Sequence, residues 1–383
     1  MDNSSNASEQ KGARKHWLDN LRWVTVLLVL FYHVIYFYNN KGVFGGIGGF
    51  GPYPEYPQYQ DVVMYILYPW FMPLLFLLAG VSARYALEKY DARTWFKART
   101  RKLLVPATIG LFVFQWMVGY YNTLVAAREA MFEGMPGVAK YVMMAISGIG
   151  PLWFIQDLWI FSLILLLVRK LDWKNKLYEA CGRLFGGKNG IVWTILLGVL
   201  FWAAEQLIIQ HPRPESADGL YNLYKPTFYF VPFLMGYFIF ARDEVQEQLG
   251  RCWMPLLFCA VVAGAVLIGT TFGQDNTSPQ YLGSPLNCIY GWLACLAMMA
   301  WFQAKFDRTS AFAGYMTRSS FGFYILHYLV IASFGYTMKE CTDLPAWAMY
   351  AILTLAVFTV TPLLYEALKR PPFIRWAVLG EKR

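Results

Sequence analysis

The chain has 383 residues, of which 57% are hydrophobic and 15% charged, with a formal net charge of +9. A soluble domain carries about 25% charged residues, so the composition excludes an ordinary soluble protein and points to one embedded in a lipid bilayer. The positive charge invites nucleic acid as a partner, but 27 of the 33 lysines and arginines gather at one set of alternate ends of the apolar segments. That is the positive-inside bias of a membrane protein, and it makes nucleic acid unnecessary.

The first apolar segment, near 17–38, reads LDNLRWVTVLLVLFYHVIYFY from Leu18 to Tyr38. It continues into aromatic residues and not into a small-residue cleavage site, so it is expected to be a retained helix. Inside it stands His33. An ionisable side chain in hydrocarbon is costly; it faces a bundle interior or a polar cavity and marks function, unless a neutral imidazole serves only as interhelical hydrogen-bonding glue. Arg22 lies eleven residues earlier, within roughly 20° of the same face and ~16 Å along the axis. One face thus carries a fixed cation toward one surface and a titratable base toward the other. To act as a general base the imidazole must be neutral near pH 7.

The second segment, near 61–83, is followed by ARYALEKYDARTWFKARTRKLLVP, which holds Arg84, Arg99, Arg101 and Lys102 among seven basic residues. Two readings stand: a topological stop signal, or a phosphate site, since guanidinium forks suit phosphates. Arg99 and Lys102, spaced i, i+3, are expected to share a helix face. The third segment lies near 103–125.

The fourth, near 150–168, begins GPLWFIQDLWIFSL. Asp157 sits about two turns inside it and needs a partner or water. It either orients an imidazole, as a carboxylate does in triad logic, or pairs structurally with a base. Trp153, four residues earlier, shares its face. Near the end of the fifth segment (190–209), Glu205 and the following His211 read as wet boundary residues. The sixth, near 225–241, is short and holds Pro226 and Pro232. The seventh and eighth lie near 254–272 and 284–304. The ninth, near 319–337, reads SSFGFYILHYLVI; Ser320, Tyr324 and His327 make one polar stripe, either interhelical hydrogen bonds or, at His327, a second base. The tenth lies near 346–368.

The expected fold is therefore all-α: about ten transmembrane helices in one bundle, both termini cytoplasmic. An N-terminal tail covers 1–16, the membrane domain 17–370 and a C-terminal tail 371–383. No phosphate-loop, HExxH or GxSxG motif occurs, and no cysteine or histidine cluster has metal-ligand spacing. The Gly-rich stretch 42–51 is expected in an outer loop. The six cysteines suggest no disulfide framework.

Five motifs, in order, resemble the multi-pass acyltransferases of the acyltransferase-3 type over about 17–370. DNLRWVTVLLVLFYH matches that family's arginine, ten residues, histidine pattern at Arg22 and His33. MPLLFLLAGVSARYAL resembles its apolar run ending in a small-residue turn. Arg99, Thr100, Arg101, Lys102 and the residues up to Pro106 resemble its paired arginines before a proline; Lys102 stands where the second arginine falls, unless the register shifts to Arg101. LWFIQDL lacks the histidine often found before LWF; Gly150 and Pro151 stand there. SFGFYILH is similar to its late serine, tyrosine and histidine helix.

The resemblance implies a membrane O-acyltransferase that carries an acetyl- or succinyl-class group from cytoplasmic acyl-CoA to a hydroxyl of a glycan or other small acceptor. His33 would be the base and Asp157 its orienting or acceptor-binding partner. Arg22, Arg84, Arg99, Arg101 and Lys102 would hold the donor, and Trp153, Tyr324 and His327 would line the substrate site. No permanently bound cofactor is expected, and the setting would be a cell membrane, bacterial and cytoplasmic. The alternatives are a polar-solute transporter or exporter using the same residues, and a scaffolding subunit.

Overall fold

The computed structural model describes residues 14–38, 58–126, 129–209, 225–276 and 278–382. The Gly-rich stretch 42–51, most of the N-terminal tail, and Lys41, Arg128, His211 and Arg213 lie outside the described residues. Among the described residues there is no strand, and nine helical segments are long and apolar enough to cross a membrane. They are α1 His16–Phe37, α2 Tyr59–Lys89, α3 Ala92–Val125, α4 Gly150–Leu171 and α5 Gly190–Ile208, then α7 Trp253–Thr271, α8 Pro285–Lys305, α9 Ala311–Cys341 and α10 Ala346–Leu368. The expected sixth span is the shorter apolar helix α6, Phe228–Phe240. A last helix, α11 Pro372–Leu379, closes the chain.

Proline explains the irregular places. α2 breaks at Tyr68–Trp70 around Pro69, between the helical stretches Val62–Leu67 and Phe71–Lys89. In α3 a π turn covers Thr100–Leu104, just before Pro106. Proline has no N–H to donate and its ring crowds the carbonyl four residues earlier; the wider turn absorbs both defects.

Small residues let α2 and α6 cross closely. A methyl group added at Gly80 would stand 2.0 Å from the Phe233 carbonyl oxygen, and one at Gly236 would stand 2.0 Å from that of Leu77. Without a hydrophobic drive between helices in lipid, such close backbone approach is a main source of association. Phe76 and Tyr229 stack beside this crossing, ring centres 4.8 Å apart.

α1 and α9 run parallel, tied at both ends. Near the start of α1, Asn20 donates to the carbonyls of Phe306 and Arg308, both at 2.7 Å. Beyond its end, the Tyr38 hydroxyl donates to the Gly335 carbonyl at 2.8 Å. Between these ties the facing sides of the two helices are buried and register is fixed. α5 and α7 instead turn Val199, Phe258 and Val261 outward, as a lipid-facing surface requires.

Candidate functional site

The register of α1 on α9 brings His33 to His327. Both side chains are buried, at 7% and 0% exposure. His327 Nδ1 lies 2.8 Å from the Tyr324 carbonyl oxygen, and His327 Nε2 lies 3.1 Å from His33 Nδ1. A carbonyl oxygen can only accept, so His327 Nδ1 carries the hydrogen. In a neutral ring Nε2 is then bare, and it accepts the hydrogen of His33 Nδ1. The same logic leaves the lone pair of the neutral His33 ring on Nε2, and the Val29 backbone carbonyl lies within hydrogen-bond reach of that ring.

Aromatic rings wall this pair. Tyr32 and Tyr328 meet the His33 ring edge-on at 5.5 and 5.8 Å. Tyr32 stacks on both Tyr36 and Tyr68, at 6.0 Å each. The hydroxyl of Tyr324 donates to the Pro151 carbonyl, which clamps α9 to the turn that opens α4. Trp153 then lies in that first turn of α4, packed on Tyr229 at 5.4 Å and Phe76 at 6.2 Å.

One turn further, Asp157 is 1% exposed and its Oδ2 has no partner among the described residues. It lies within electrostatic reach of Tyr324 and Tyr229. It does not orient the imidazoles through their paired nitrogens: those are occupied by Tyr324 and by each other.

At the other end of α1 a cavity of about 1070 Å³ opens, lined by Lys15, Asp19, Arg22, Ser82, Tyr85 and Arg242 among others. Arg22 donates to Asp19 Oδ1 at 3.1 Å and to Ser82 Oγ at 2.5 Å. Ser82 belongs to the small-residue turn of the second motif. Arg99 lies within electrostatic reach of Arg22; it donates to Ser162 Oγ at 3.0 Å, and its Nη2 is buried without a partner. Among the described residues no carboxylate pairs with Arg99. Two guanidiniums drawn together with a carboxylate, Asp19, on only one of them make a site for an anion. On the rim, Lys15 pairs with Asp243. Burial alone would lower its ammonium, but Tyr85 and Asp243 outweigh that and hold it above the usual lysine value.

The remaining basic residues divide. Arg84 is buried, bonded to Glu88 at 2.6 Å and stacked 3.5 Å above the Tyr178 ring. Arg242 covers the same ring at 3.8 Å. Arg101 keeps an unpartnered, buried Nε. Lys102 donates to the Leu379 carbonyl at 3.2 Å and lies 3.8 Å from Glu381. Arg99 therefore turns to α4 and Lys102 to α11. The shared face expected for them fails because Lys102 lies inside the π turn Thr100–Leu104, which begins directly after Arg99.

Glu205, expected at a wet boundary, is 4% exposed and correspondingly part of the interior: it lies within electrostatic reach of Tyr229, and the helix around it is a π turn, Glu205–Ile209. Sequence reasoning also passed over Tyr68, Tyr229, Ser82 and Ser162. Tyr68 precedes the Pro69 break, the one local signal beside it; the serines follow no pattern that periodicity detects. Among the described residues no group of three histidines, cysteines or carboxylates is placed to hold a metal ion.

The acyltransferase-3 family model, described as an acyltransferase domain, matches residues 15–366. Among curated proteins the chain is similar to glucans biosynthesis protein C of Escherichia coli O1:K1 / APEC, 19% identical over 380 residues, covering 96% of this chain and 95% of the relative. The protein of the same name from Escherichia coli strain K12 / DH10B is 19% identical over 383 residues, with the same coverage of each. No solved structure matches.

Proposed function

The chain belongs to the acyltransferase-3 family, and from that premise we propose that it transfers an acyl group from acyl-CoA to a hydroxyl acceptor, with His33 as general base. The observation that carries this reading is the 3.1 Å contact of His327 Nε2 with His33 Nδ1, which leaves His33 Nε2 to take a proton. In the proposed step the acceptor hydroxyl gives its proton to Nε2 while its oxygen attacks the thioester carbonyl. The tetrahedral intermediate collapses, the carbon–sulfur bond breaks, and the leaving thiolate takes the proton from the imidazolium. Acyl-CoA is thereby converted to the free thiol and the acceptor to an ester.

His327 is the positioning residue. It holds the His33 tautomer and shares the charge that appears on His33, with the Tyr324 carbonyl behind it. A carboxylate does this in the serine-hydrolase triad; here a neutral imidazole backed by a carbonyl takes its place. The donor phosphates fall to Arg22, which lines the cavity, and to Arg99 and Arg101, whose unpartnered N–H groups support that role. Arg84 and Lys102 are held in other contacts and act on the donor less directly. The positive-inside bias makes this end cytoplasmic, and the acyl arm then runs along α1 to His33. Asp157 offers its free carboxyl oxygen to the acceptor. A glycan is the favoured acceptor class, since the similar proteins are named for glucan biosynthesis.

The test is acyl transfer by purified protein in lipid nanodiscs, supplied with acetyl-CoA or succinyl-CoA and a glucoside acceptor, followed by release of free thiol. The wild-type protein should release thiol only with acceptor present, and His33→Ala should not.

A further inference from the structure

Lys225 is the first described residue before α6. It caps the helix that starts at Pro226, with φ +42°. A non-glycine residue in the left-handed region is uncommon, and held strain of this kind gathers at functional positions. Its side chain is buried, 7% exposed. A cation at a helix N-terminus opposes the helix dipole, where a negative group is favoured. Burial and position thus both work against this ammonium unless an anion joins it.

No such anion comes from the described protein. Lys225 forms no ion pair among the described residues; its contacts are a long hydrogen bond to the Tyr68 hydroxyl, 3.4 Å, and the Tyr68 ring, 5.6 Å from its centre. Three carboxylates reach the neighbouring tyrosines electrostatically, Glu205 and Asp157 at Tyr229 and Asp275 at Tyr36. Glu205 and Asp275 have interactions of their own, and none of the three forms an ion pair with Lys225 among the described residues.

The place is continuous with the proposed transfer site. Tyr68 stacks on Tyr32, and Tyr32 meets the His33 ring. Tyr229, one turn after Lys225 and bonded to its carbonyl at 3.1 Å, lies within electrostatic reach of both Tyr68 and Asp157. Contacts therefore lead from the buried ammonium along tyrosines to the base.

We propose that Lys225 and Tyr68 form a subsite for a carboxylate of a substrate, at the end of the transfer site opposite the Arg22 cavity. A single ammonium with one phenol hydroxyl matches a singly charged carboxylate; a phosphate calls for more donors. The carboxylate comes from one of two sources, the far end of the acyl group or an acidic sugar of the acceptor. This rests on the acyltransferase reading.

Two pairs of substrates separate the sources: succinyl-CoA against butyryl-CoA, and octyl glucuronide against octyl glucoside, with full-length protein in nanodiscs. The wild-type protein should favour the charged member of one pair at least tenfold in kcat/KM. Lys225→Met should abolish that preference and Lys225→Arg should keep most of it. A preference in neither pair, or one that Lys225→Met retains, overturns the subsite. If wild-type protein transfers no acyl group, the acyltransferase reading fails on its own. Equilibrium dialysis with labelled succinate then decides: saturable binding lost in Lys225→Met and kept in Lys225→Arg supports the subsite, and binding absent or indifferent to Lys225 overturns it.

Discussion

His327 Nε2 lies 3.1 Å from His33 Nδ1, although the residues are 294 positions apart in the chain. Replacing His327 by leucine removes the ring nitrogen that meets His33 Nδ1 and frees the His33 ring to take the other tautomer. The expected result is a fall in kcat of about 10²–10⁴, the range that a general base contributes, with little change in donor KM. Glutamine can still accept through its side-chain oxygen and should recover part of the rate. Steady-state kinetics of His327→Leu and His327→Gln in nanodiscs check this; equal rates for both would indicate that His327 only packs.

Arg99 has a buried Nη2 with no partner among the described residues and lies within electrostatic reach of Arg22. Its removal should raise donor KM about tenfold or more, since hydrogen bonds to charged groups are worth about 1.5–3 kcal/mol, and should leave acceptor KM unchanged. Titrating acyl-CoA against Arg99→Met at fixed acceptor measures this. Lys102, tied to Leu379 and Glu381, should behave differently: Lys102→Met should speed amide hydrogen exchange in α11 and shift donor KM less than Arg99→Met does.

Asp157 has the opposite expected signature. With its Oδ2 open and no link to the imidazole nitrogens, Asp157→Ala should raise acceptor KM several-fold and spare donor KM. A matching rise in donor KM would place it elsewhere in the reaction.

Gly80 tests the fold. A side chain there meets the Phe233 carbonyl at 2.0 Å with backbone on both sides. Gly80→Val should therefore cost more than the ~1–3 kcal/mol typical of overpacking. Thermal unfolding in detergent should show a clear loss of Tm, and a change of a degree or less would mean that α2 and α6 slide freely.

Much of this architecture was legible in the chain. Apolar runs of span length mark the helices directly, because the bilayer core sets their length. His33 and Arg22 stood out because ionisable residues are rare in such runs. The pairing of His33 with His327 was not legible, since it depends on the register of two helices distant in sequence. Arg99 and Lys102 were expected on one face because the α-helical period was carried through a stretch where Pro106 induces a π turn. Glu205 was misread because a position near the end of an apolar run looks wet; the interior location follows from packing beside Tyr229. No sequence pattern singles out Lys225, and its burial against Tyr68 is what marks it.

The central claim is that Nε2 of His33 takes the acceptor's proton. Single-turnover transfer from labelled acetyl-CoA or succinyl-CoA to a glucoside, by wild-type and His33→Gln protein in nanodiscs, tests it most directly. The account predicts at least a hundredfold slower transfer by His33→Gln with donor binding retained; transfer at the wild-type rate would contradict it.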